Sequence, residues 1–247
     1  MPSVFSTASK YDSQLMIPYY SAENFSFPPL ETALQEPDGL LAAGGLLSTE
    51  QLLLAYQSGI FPWYSEGDPI MWWSPSIRAV FWPKRIHTSR SLAKFLRRSP
   101  YTYSFNRAFP EVIESCARVH EQTTGTWITP QMIHGYSQLH YQGHAHSVEV
   151  WQNEKLVGGL YGILVGQVFC GESMFHRADH ASKCALLALA QHLTPLGLQL
   201  IDCQLPNPHL MRLGAEEMPR GDFIQQLARF KQHTIASYAL KPQFIEL

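Results

Sequence analysis

Apolar and polar residues in the second half of the chain alternate between strand-like and helix-like spacing. Turn residues such as Asn153 and Gly166 separate the runs that have strand spacing. The predicted elements are strands over residues 147–151, 156–165 and 167–175, a helix over 179–193 and a buried strand over 198–204. Helices and antiparallel strands in this order predict a mixed α/β (α+β) domain that is built on one sheet.

The first part of the chain has a different pattern. Ser48 and Gln51 have the spacing of a capping box, which predicts a helix that begins after Ser48 and ends at Gly59. Residues 61–75 are rich in aromatic residues and proline, which favours an ordered loop with exposed or pocket-lining rings. We therefore predict a small N-terminal domain over residues 1–78 and a larger C-terminal domain over 79–247.

Other elements are predicted near the start and the end of the larger domain. A short strand is expected over 79–82, followed by a helix over 89–98. Thr129 has the position of an N-cap, and Gly143 is expected to close the helix that Thr129 begins. Asp222 is expected to be the N-cap of a final helix.

The overall composition is that of a globular protein with a buried core. The chain has 247 residues, of which 45% are hydrophobic and 15% charged. It starts without the basic and apolar regions of a signal peptide, and it has no run of about 18 apolar residues. Its four cysteines have no CxxC spacing. A cytoplasmic protein with reduced thiols is therefore expected.

The charge is unevenly distributed along the chain. Residues 69–110 contain no Asp or Glu and eight of the 18 Lys and Arg residues, which leaves 10 basic and 20 acidic residues elsewhere. Four of the basic residues lie on one face of the predicted helix over 89–98, namely Arg90, Lys94, Arg97 and Arg98. A merely solvated helix face usually mixes the two signs of charge. The pattern therefore favours a phosphate-binding face.

The common catalytic and metal-binding motifs are absent from the sequence. It has no GxSxG, HExxH, Walker A or dinucleotide-binding fingerprint in the required context. His144 and His146 lack a Cys or carboxylate at a matching spacing, so a metal site is not favoured there. The same argument applies to His176 and His180.

Polar residues instead interrupt two apolar strands. Strand alternation predicts that Asp202 and Gln204 share one face, and that Cys170, Glu172 and Met174 share another. Buried carboxylates need partners, so a structural hydrogen-bond network is one interpretation. A functional site is the other interpretation, and it is favoured because ligands bind at strand ends in α/β sheets.

Eight motifs resemble those of the bacterial leucyl/phenylalanyl-tRNA–protein transferases and follow the order of that family, from about Pro37 to about Phe223. They are Phe61-Pro62-Trp63-Tyr64, Trp72-Trp73-Ser74-Pro75 with Arg78, Thr126-Trp127-Ile128-Thr129, residues 143–151, residues 158–162, residues 171–175, Ala181-Ser182-Lys183 and Ile201-Asp202-Cys203-Gln204. Eight motifs in the correct order make the resemblance specific. One departure is Arg212, which lies where the family usually has serine.

The resemblance implies both a fold and a reaction. It implies a C-terminal domain with the acetyltransferase-like (GNAT) fold. It also implies transfer of Leu or Phe, less well Met, from tRNA to an N-terminal Arg or Lys of an acceptor protein, which is thereby marked for degradation. No cofactor or metal is implied, and a monomer is the default expectation.

The resemblance also implies roles for individual residues. Asp202 and Gln204 match the catalytic pair, with Glu172 beside them. The other implied groups are Trp63 and Trp127 for the terminal adenosine, Phe169, Met174, Leu186, Leu193 and Ile201 for the amino-acid pocket, and Arg90, Lys94, Arg97 and Arg98 for tRNA. An aminoacyl ester is already activated, so Gln204, polarised by Asp202, needs only to position the attacking amine.

Two other functions remain open from the residues alone. An N-acetyltransferase that uses acetyl-CoA shares the implied fold, but residues 176–181 lack the glycines that hold a pyrophosphate. An RNA-binding module without activity explains the basic helix and the tryptophans, but it leaves Glu172, Asp202 and Gln204 without a role. The apolar pocket residues also have a plainer interpretation as ordinary core.

Overall fold

The computed structural model describes residues 17–21, 26–123 and 127–247. The chain divides into two compact units, the first ending at Ser76 and the second beginning at Ile77. The expected boundary was after residue 78, but Ile77 and Arg78 begin a strand of the second unit. The predicted mixed α/β class is confirmed, because helices and strands alternate along the described chain.

The first unit has, within its described residues, a four-stranded sheet in the order β1-β2-β4-β3. Its elements are β1 (Tyr19–Tyr20), β2 (Leu40–Gly44), helix α1 (Thr49–Gln57), β3 (Phe61–Pro62) and β4 (Met71–Trp73). The predicted cap is confirmed, since the Ser48 side chain accepts the backbone N–H of Gln51. The prediction of a loop over 61–75 is partly wrong, because β3 and β4 pair there and most of the rings are buried.

The second unit is built on a sheet whose eight described strands follow the order β11-β5-β10-β9-β8-β7-β6-β12. The strands are β5 (Ile77–Phe81), β6 (Thr102–Phe105), β7 (Ala145–Gln152), β8 (Lys155–Val165), β9 (Val168–His176), β10 (Leu200–Asp202), β11 (Glu216–Pro219) and β12 (Gln243–Ile245). Only β9 and β10 run parallel among these neighbours. The single mixed sheet that was predicted for this part of the chain is therefore present.

Helices cover both faces of this sheet. They are α2 (Arg90–Leu96), α3 (Phe109–Thr123), α4 (Pro130–Tyr141), α5 (Ala181–Leu193), α6 (Pro208–Arg212) and α7 (Arg220–Phe230). Helix α3 is not among the predicted elements, although Val112, Ile113 and Cys116 have helical spacing and are all buried. The N-cap of α7 is Pro219 and not Asp222, which lies in the first turn where its charge favours the helix dipole.

One extra residue in β9 interrupts its pairing with β8. Tyr161 lies opposite Ser173 and Gly162 lies opposite Gly171, so Glu172 is the extra residue of this ladder. Such a bulge re-aims the side chain at its centre and reverses the facing of all residues beyond it. The Glu172 side chain therefore does not follow the regular alternation of side chains along the strand.

The bulge changes which residues share a face. Met174 lies opposite Leu160, and Cys170 lies opposite Ile163. Since Leu160 and Ile163 are three residues apart on one strand, their side chains are on opposite faces. The prediction that Cys170 and Met174 share a face is therefore wrong.

A glycine next to the bulge allows the two strands to approach each other. A Cβ atom added to Gly162 would lie 2.2 Å from the carbonyl oxygen of Cys170 and 2.6 Å from the Phe169 ring. Backbone atoms cannot move aside cheaply, so only glycine fits at this position.

We predict that Gly162→Ala lowers the free energy of unfolding by at least about 1–3 kcal/mol, the usual cost of overpacking. The measurement is urea unfolding followed by circular dichroism. Gly221→Ala is the matched control, because a Cβ atom there meets no atom within 4 Å. The control is expected to be unchanged or up to about 1 kcal/mol more stable. Equal midpoints for Gly162→Ala and the wild type would contradict the packing argument.

Candidate active site

A cavity lies in the second unit where β9 and β10 cease to pair. The two strands are joined in parallel as far as Cys170 and Asp202, after which β10 ends while β9 continues to His176. The cavity has a volume of about 230 Å³. Its lining includes the apolar residues Leu160, Phe169, Met174, Leu186, Leu189, Ile201 and Leu210 and the polar residues Glu172, Ser173, Gln204, Asn207 and His209.

The apolar wall contains most of the residues expected to bind an amino-acid side chain. Phe169, Met174, Leu186 and Ile201 all line the cavity. Leu193 does not, because it lies about two turns beyond Leu186 on α5 and is fully buried in the core. Leu189 of the same helix lines the cavity instead, so helical position rather than residue type decides which leucine is at the surface of the pocket.

The polar wall is centred on the bulged carboxylate. Glu172 accepts a hydrogen bond of 2.8 Å from the Tyr136 hydroxyl and one of 3.1 Å from the side-chain amide of Gln204. Each carboxylate oxygen of Glu172 thus has a donor. The side-chain NH2 group of Gln204 donates its hydrogen bond to Glu172. The Oε1 atom of Gln204 can therefore accept a hydrogen bond from a bound molecule.

Asp202 has a different set of partners. Its fully buried carboxylate pairs in bidentate fashion with Arg78, where Nε lies 3.1 Å from Oδ1 and Nη2 bonds Oδ2. The same Oδ1 accepts the backbone N–H of Gln204 at 3.0 Å. The Arg78 guanidinium also lies over the Phe223 ring, 4.5 Å from its centre. Asp202 therefore fixes the backbone of Gln204 and makes no hydrogen bond to its amide side chain.

The backbone of Gln204 has a conformation that is rare for this residue type. Its φ angle is +58°, in the left-handed region, and its carbonyl accepts the backbone N–H of Ala79 at 3.2 Å. The prediction that Asp202 and Gln204 share a strand face is wrong, because β10 ends at Asp202. Left-handed residues other than glycine cost about 1–3 kcal/mol and cluster at functional sites.

The thiols near the cavity are poor nucleophiles. Burial raises the pKa of Cys170 well above its ordinary value, and the nearby Asp202 carboxylate adds to the effect. Burial and Asp202 likewise raise the pKa of Cys203. Only a thiolate is a strong nucleophile, so neither side chain suits covalent catalysis at neutral pH.

The two tryptophans of the expected adenosine site belong to different units. Trp127 lines the cavity of the second unit. Trp63 lies in the first unit with 42% of its surface exposed, and its carbonyl accepts the indole N–H of Trp73 at 2.6 Å. Thr126, which precedes Trp127 in the resembling motif, lies outside the described residues.

The four basic residues expected to bind tRNA all lie on the surface. Arg90 and Lys94 belong to α2, and Arg97 and Arg98 follow its last residue. In the described part of the chain none of the four takes part in a salt bridge. Leu92 on the opposite side of α2 is buried, which fixes the helix with its basic side outward.

No group of three His, Cys, Asp or Glu side chains in the described ranges is placed to hold a metal ion. His146 is buried against Asn106, and burial lowers its pKa to about 3. This environment is that of a core histidine. The described helices include none that is long and apolar enough to cross a membrane.

An apolar cavity with a hydrogen-bonded carboxylate and amide at one end has the features of an enzyme site. Sequence models of the leucyl/phenylalanyl-tRNA protein transferase match residues 80–228 and, for its N-terminal domain, residues 45–76. The chain is 51% identical over 224 residues to the leucyl/phenylalanyl-tRNA–protein transferase of Shewanella baltica (strain OS195), with 90% of this chain and 94% of that protein covered. It is 52% identical over 225 residues to the one from Klebsiella pneumoniae (strain 342), with 91% and 95% covered. The chain therefore belongs to the leucyl/phenylalanyl-tRNA–protein transferase family, which confirms the resemblance.

Solved structures with a similar arrangement are only remotely related. One is a GCN5-related N-acetyltransferase from Kribbella flavida, with 11% identity and a TM-score of 0.37, covering 66% of this chain and 57% of that one. Another is a conserved protein of unknown function from Bacteroides thetaiotaomicron VPI-5482, with 14% identity and a TM-score of 0.44, covering 56% and 53%. At these scores neither structure supports a functional argument.

Three residues of the site were not expected from the residue types alone. Arg78 entered only as part of a motif, yet it is the partner of Asp202. Tyr136 lies on α4 and reaches Glu172, and no local pattern points to this contact. Asn207 caps α6 and lines the cavity, and its position before Pro208 was an available N-cap signal.

We predict that Arg78→Met lowers the free energy of unfolding by about 3–5 kcal/mol, because it leaves the buried Asp202 charge without a partner. Arg85→Met is the matched control, since Arg85 pairs with Glu216 at the surface. Loss of this surface pair should lower the free energy of unfolding by less than about 1 kcal/mol. Urea unfolding of both variants tests this difference, and equal midpoints would refute it.

Proposed function

We propose that this chain transfers Leu or Phe, and less well Met, from aminoacyl-tRNA to the N-terminal Arg or Lys of an acceptor protein. The observation that supports this reaction best is the apolar cavity that ends at the hydrogen-bonded pair of Glu172 and Gln204. Membership of the transferase family supports it independently. The acceptor would then be marked for degradation, and the reaction fits a monomer in the cytoplasm without a cofactor.

The shape of the cavity suits the proposed donors. Its walls are made by a ring, a thioether and leucine side chains, from Phe169, Met174, Leu186 and Leu189. Side chains that are unbranched at Cβ can extend between such walls, and the flexible Met174 adapts to either Leu or Phe. β-branched side chains such as Ile and Val are disfavoured because their bulk lies at the mouth of the pocket.

The proposed reaction needs little chemistry from the protein. The acceptor α-amine attacks the carbonyl carbon of the aminoacyl ester, a C–N bond forms, and the C–O bond to the ribose breaks. The amine loses a proton and the departing ribose oxygen gains one. An α-amine with a pKa of about 8 is roughly one-tenth unprotonated near neutral pH, so positioning is the main requirement.

Gln204 and Glu172 are proposed to position the amine. The free Oε1 of Gln204 accepts an N–H of the amine, and Asp202 holds Gln204 in place through its backbone. This differs from the expected polarisation of the amide by Asp202. Glu172 either carries the proton to the ribose oxygen or binds the cationic side chain of the acceptor residue.

The donor tRNA is proposed to contact the protein beyond the apolar part of the cavity as well. Trp127, which lines the cavity, is proposed to stack on the terminal adenosine, as aromatic rings do with single-stranded RNA. Trp63 of the first unit is proposed as a further stacking ring for the tRNA. The exposed face of α2, with Arg90 and Lys94, is proposed to bind phosphates together with Arg97 and Arg98. Its lack of salt bridges to described residues leaves its charge available for an anion.

Purified protein is expected to transfer labelled Phe from Phe-tRNA to an Arg-initiated peptide. Gln204→Ala should lower kcat by about 100-fold, as removal of an acid–base or positioning group does. Gln199→Ala, at an exposed position, is the control and should have no effect. If the wild type transfers no label to the peptide, the transferase proposal fails, and acetylation of the peptide with acetyl-CoA would then favour an acetyltransferase.

Glu172→Gln separates the two roles of that carboxylate. A lower kcat indicates that Glu172 carries the proton. A rise only in the KM of the peptide indicates that Glu172 binds the side chain of the acceptor residue. Unchanged values of both would remove Glu172 from the mechanism.

Two adjacent leucines of α5 test the donor pocket. Leu186 lines the cavity, while Leu187 does not. Leu186→Ala is expected to lower kcat/KM for Leu-tRNA by about 10–200-fold, the usual worth of lost apolar contacts in a specificity pocket. Leu187→Ala should leave kcat/KM for Leu-tRNA unchanged. If both variants lower kcat/KM for Leu-tRNA equally, the cavity is not the donor pocket.

A further inference from the structure

We infer that Lys183, His209 and Arg212 form a binding site for a phosphodiester of the tRNA 3′ end at the rim of the cavity. The inference rests on the proposed function, since it concerns the same donor. It adds a contact close to the reacting ester, separate from the basic face of α2.

The short helix α6 forms one side of this rim. Asn207 caps it by accepting the backbone N–H groups of His209 and Leu210, at 3.0 and 2.9 Å. Asn207, His209 and Leu210 all line the cavity. Arg212 follows His209 by three residues, so the two side chains project from the same side of the helix. Arg212 is exposed and His209 is half-buried, as expected for a rim.

Helix α5 forms the opposite side of the rim. Lys183 lies in its first turn, three residues before Leu186, which lines the cavity. Residues three apart lie on the same face of a helix, so Lys183 is on the face of α5 that carries Leu186. His176, the last residue of β9, adds another nitrogen-bearing side chain at this end.

The electrostatic environment of His209 agrees with this arrangement. Burial lowers the pKa of His209, and the positive charges of Lys183 and Arg212 and the neighbouring His176 lower it further. In the part of the chain that the structure describes, neither Lys183 nor Arg212 forms a salt bridge. Clustered cations without carboxylate partners raise the local concentration of anions.

The proposed donor brings one anion to this place. When the aminoacyl side chain occupies the cavity, the ribose that carries it lies at the mouth. The phosphodiester on the 5′ side of that nucleoside is then the nearest negative charge. Lys and Arg both bind phosphate oxygens by charge-assisted hydrogen bonds, which supports this occupant.

Three donors of Phe with different numbers of phosphates test the site. They are Phe-tRNA, 3′-O-phenylalanyl-CpA with one phosphodiester, and 3′-O-phenylalanyl-adenosine with none. Arg212→Ser is expected to raise KM about tenfold for the first two, without changing kcat or the KM of the third. Arg212→Lys should restore part of the affinity. Arg229→Ser, an exposed arginine of α7, is the control and should affect no donor.

The remaining outcomes overturn the inference. An equal rise in the KM of phenylalanyl-adenosine means that Arg212 shapes the cavity. A rise in the KM of Phe-tRNA but not in that of phenylalanyl-CpA places the bound phosphate elsewhere on the tRNA. A rise in the KM of the acceptor peptide assigns the rim to the acceptor. If the wild type transfers Phe from Phe-tRNA and Arg212→Ser has no effect, this inference alone is wrong. If the wild type transfers no Phe, the proposed function is wrong.

A second readout does not depend on turnover. CpA is expected to raise the pKa of His209 in an NMR titration, because a bound phosphate favours the imidazolium form. The increase should be smaller in Arg212→Ser. A pKa of His209 that does not respond to CpA would contradict a phosphate at the rim.

Discussion

The buried ion pair of Arg78 and Asp202 holds the polar end of the site in position. Both side chains are almost inaccessible to solvent, and an isolated charge in such a place costs several kcal/mol. The pair joins the neighbouring strands β5 and β10. Because Asp202 also accepts the backbone N–H of Gln204, it stabilises the left-handed turn that directs the Gln204 amide to Glu172. Asp202 thus holds the polar wall of the cavity in place through the backbone of Gln204.

The extra residue at Glu172 allows an arrangement of side chains that a regular strand cannot produce. Phe169 and Met174 both line the apolar cavity, although five residues separate them and strict alternation would put them on opposite faces. The bulge restores them to one face and directs Glu172 to Tyr136 and Gln204. Gly162 opposite the bulge provides the space for this close approach.

The features that the sequence predicts are those whose residues lie close together along the chain, and the features that it does not predict depend on residues that are far apart. Strands β7 to β9 and helix α5 were predicted from local periodicity and turns, and the cavity residues from motif resemblance. The bulge was not, because a period of two contains no signal for one extra residue. Nor was the contact between Arg78 and Asp202, since its partners are 124 residues apart. The left-handed Gln204 depends on that same distant contact.

In the second unit, the charged side chains at the polar end of the cavity have partners, whereas two groups of basic side chains at the surface form no salt bridge with described residues. At the centre, Asp202 is neutralised by Arg78 and Glu172 is held by two uncharged donors. At the periphery, Lys183, Arg212 and the basic face of α2 have no salt bridges among the described residues. Salt screens exposed charges strongly and buried pairs weakly. In the proposed reaction, a polyanionic donor could therefore be attracted and released at the surface without disturbing the geometry of Glu172 and Gln204, which we propose aligns the amine with the ester.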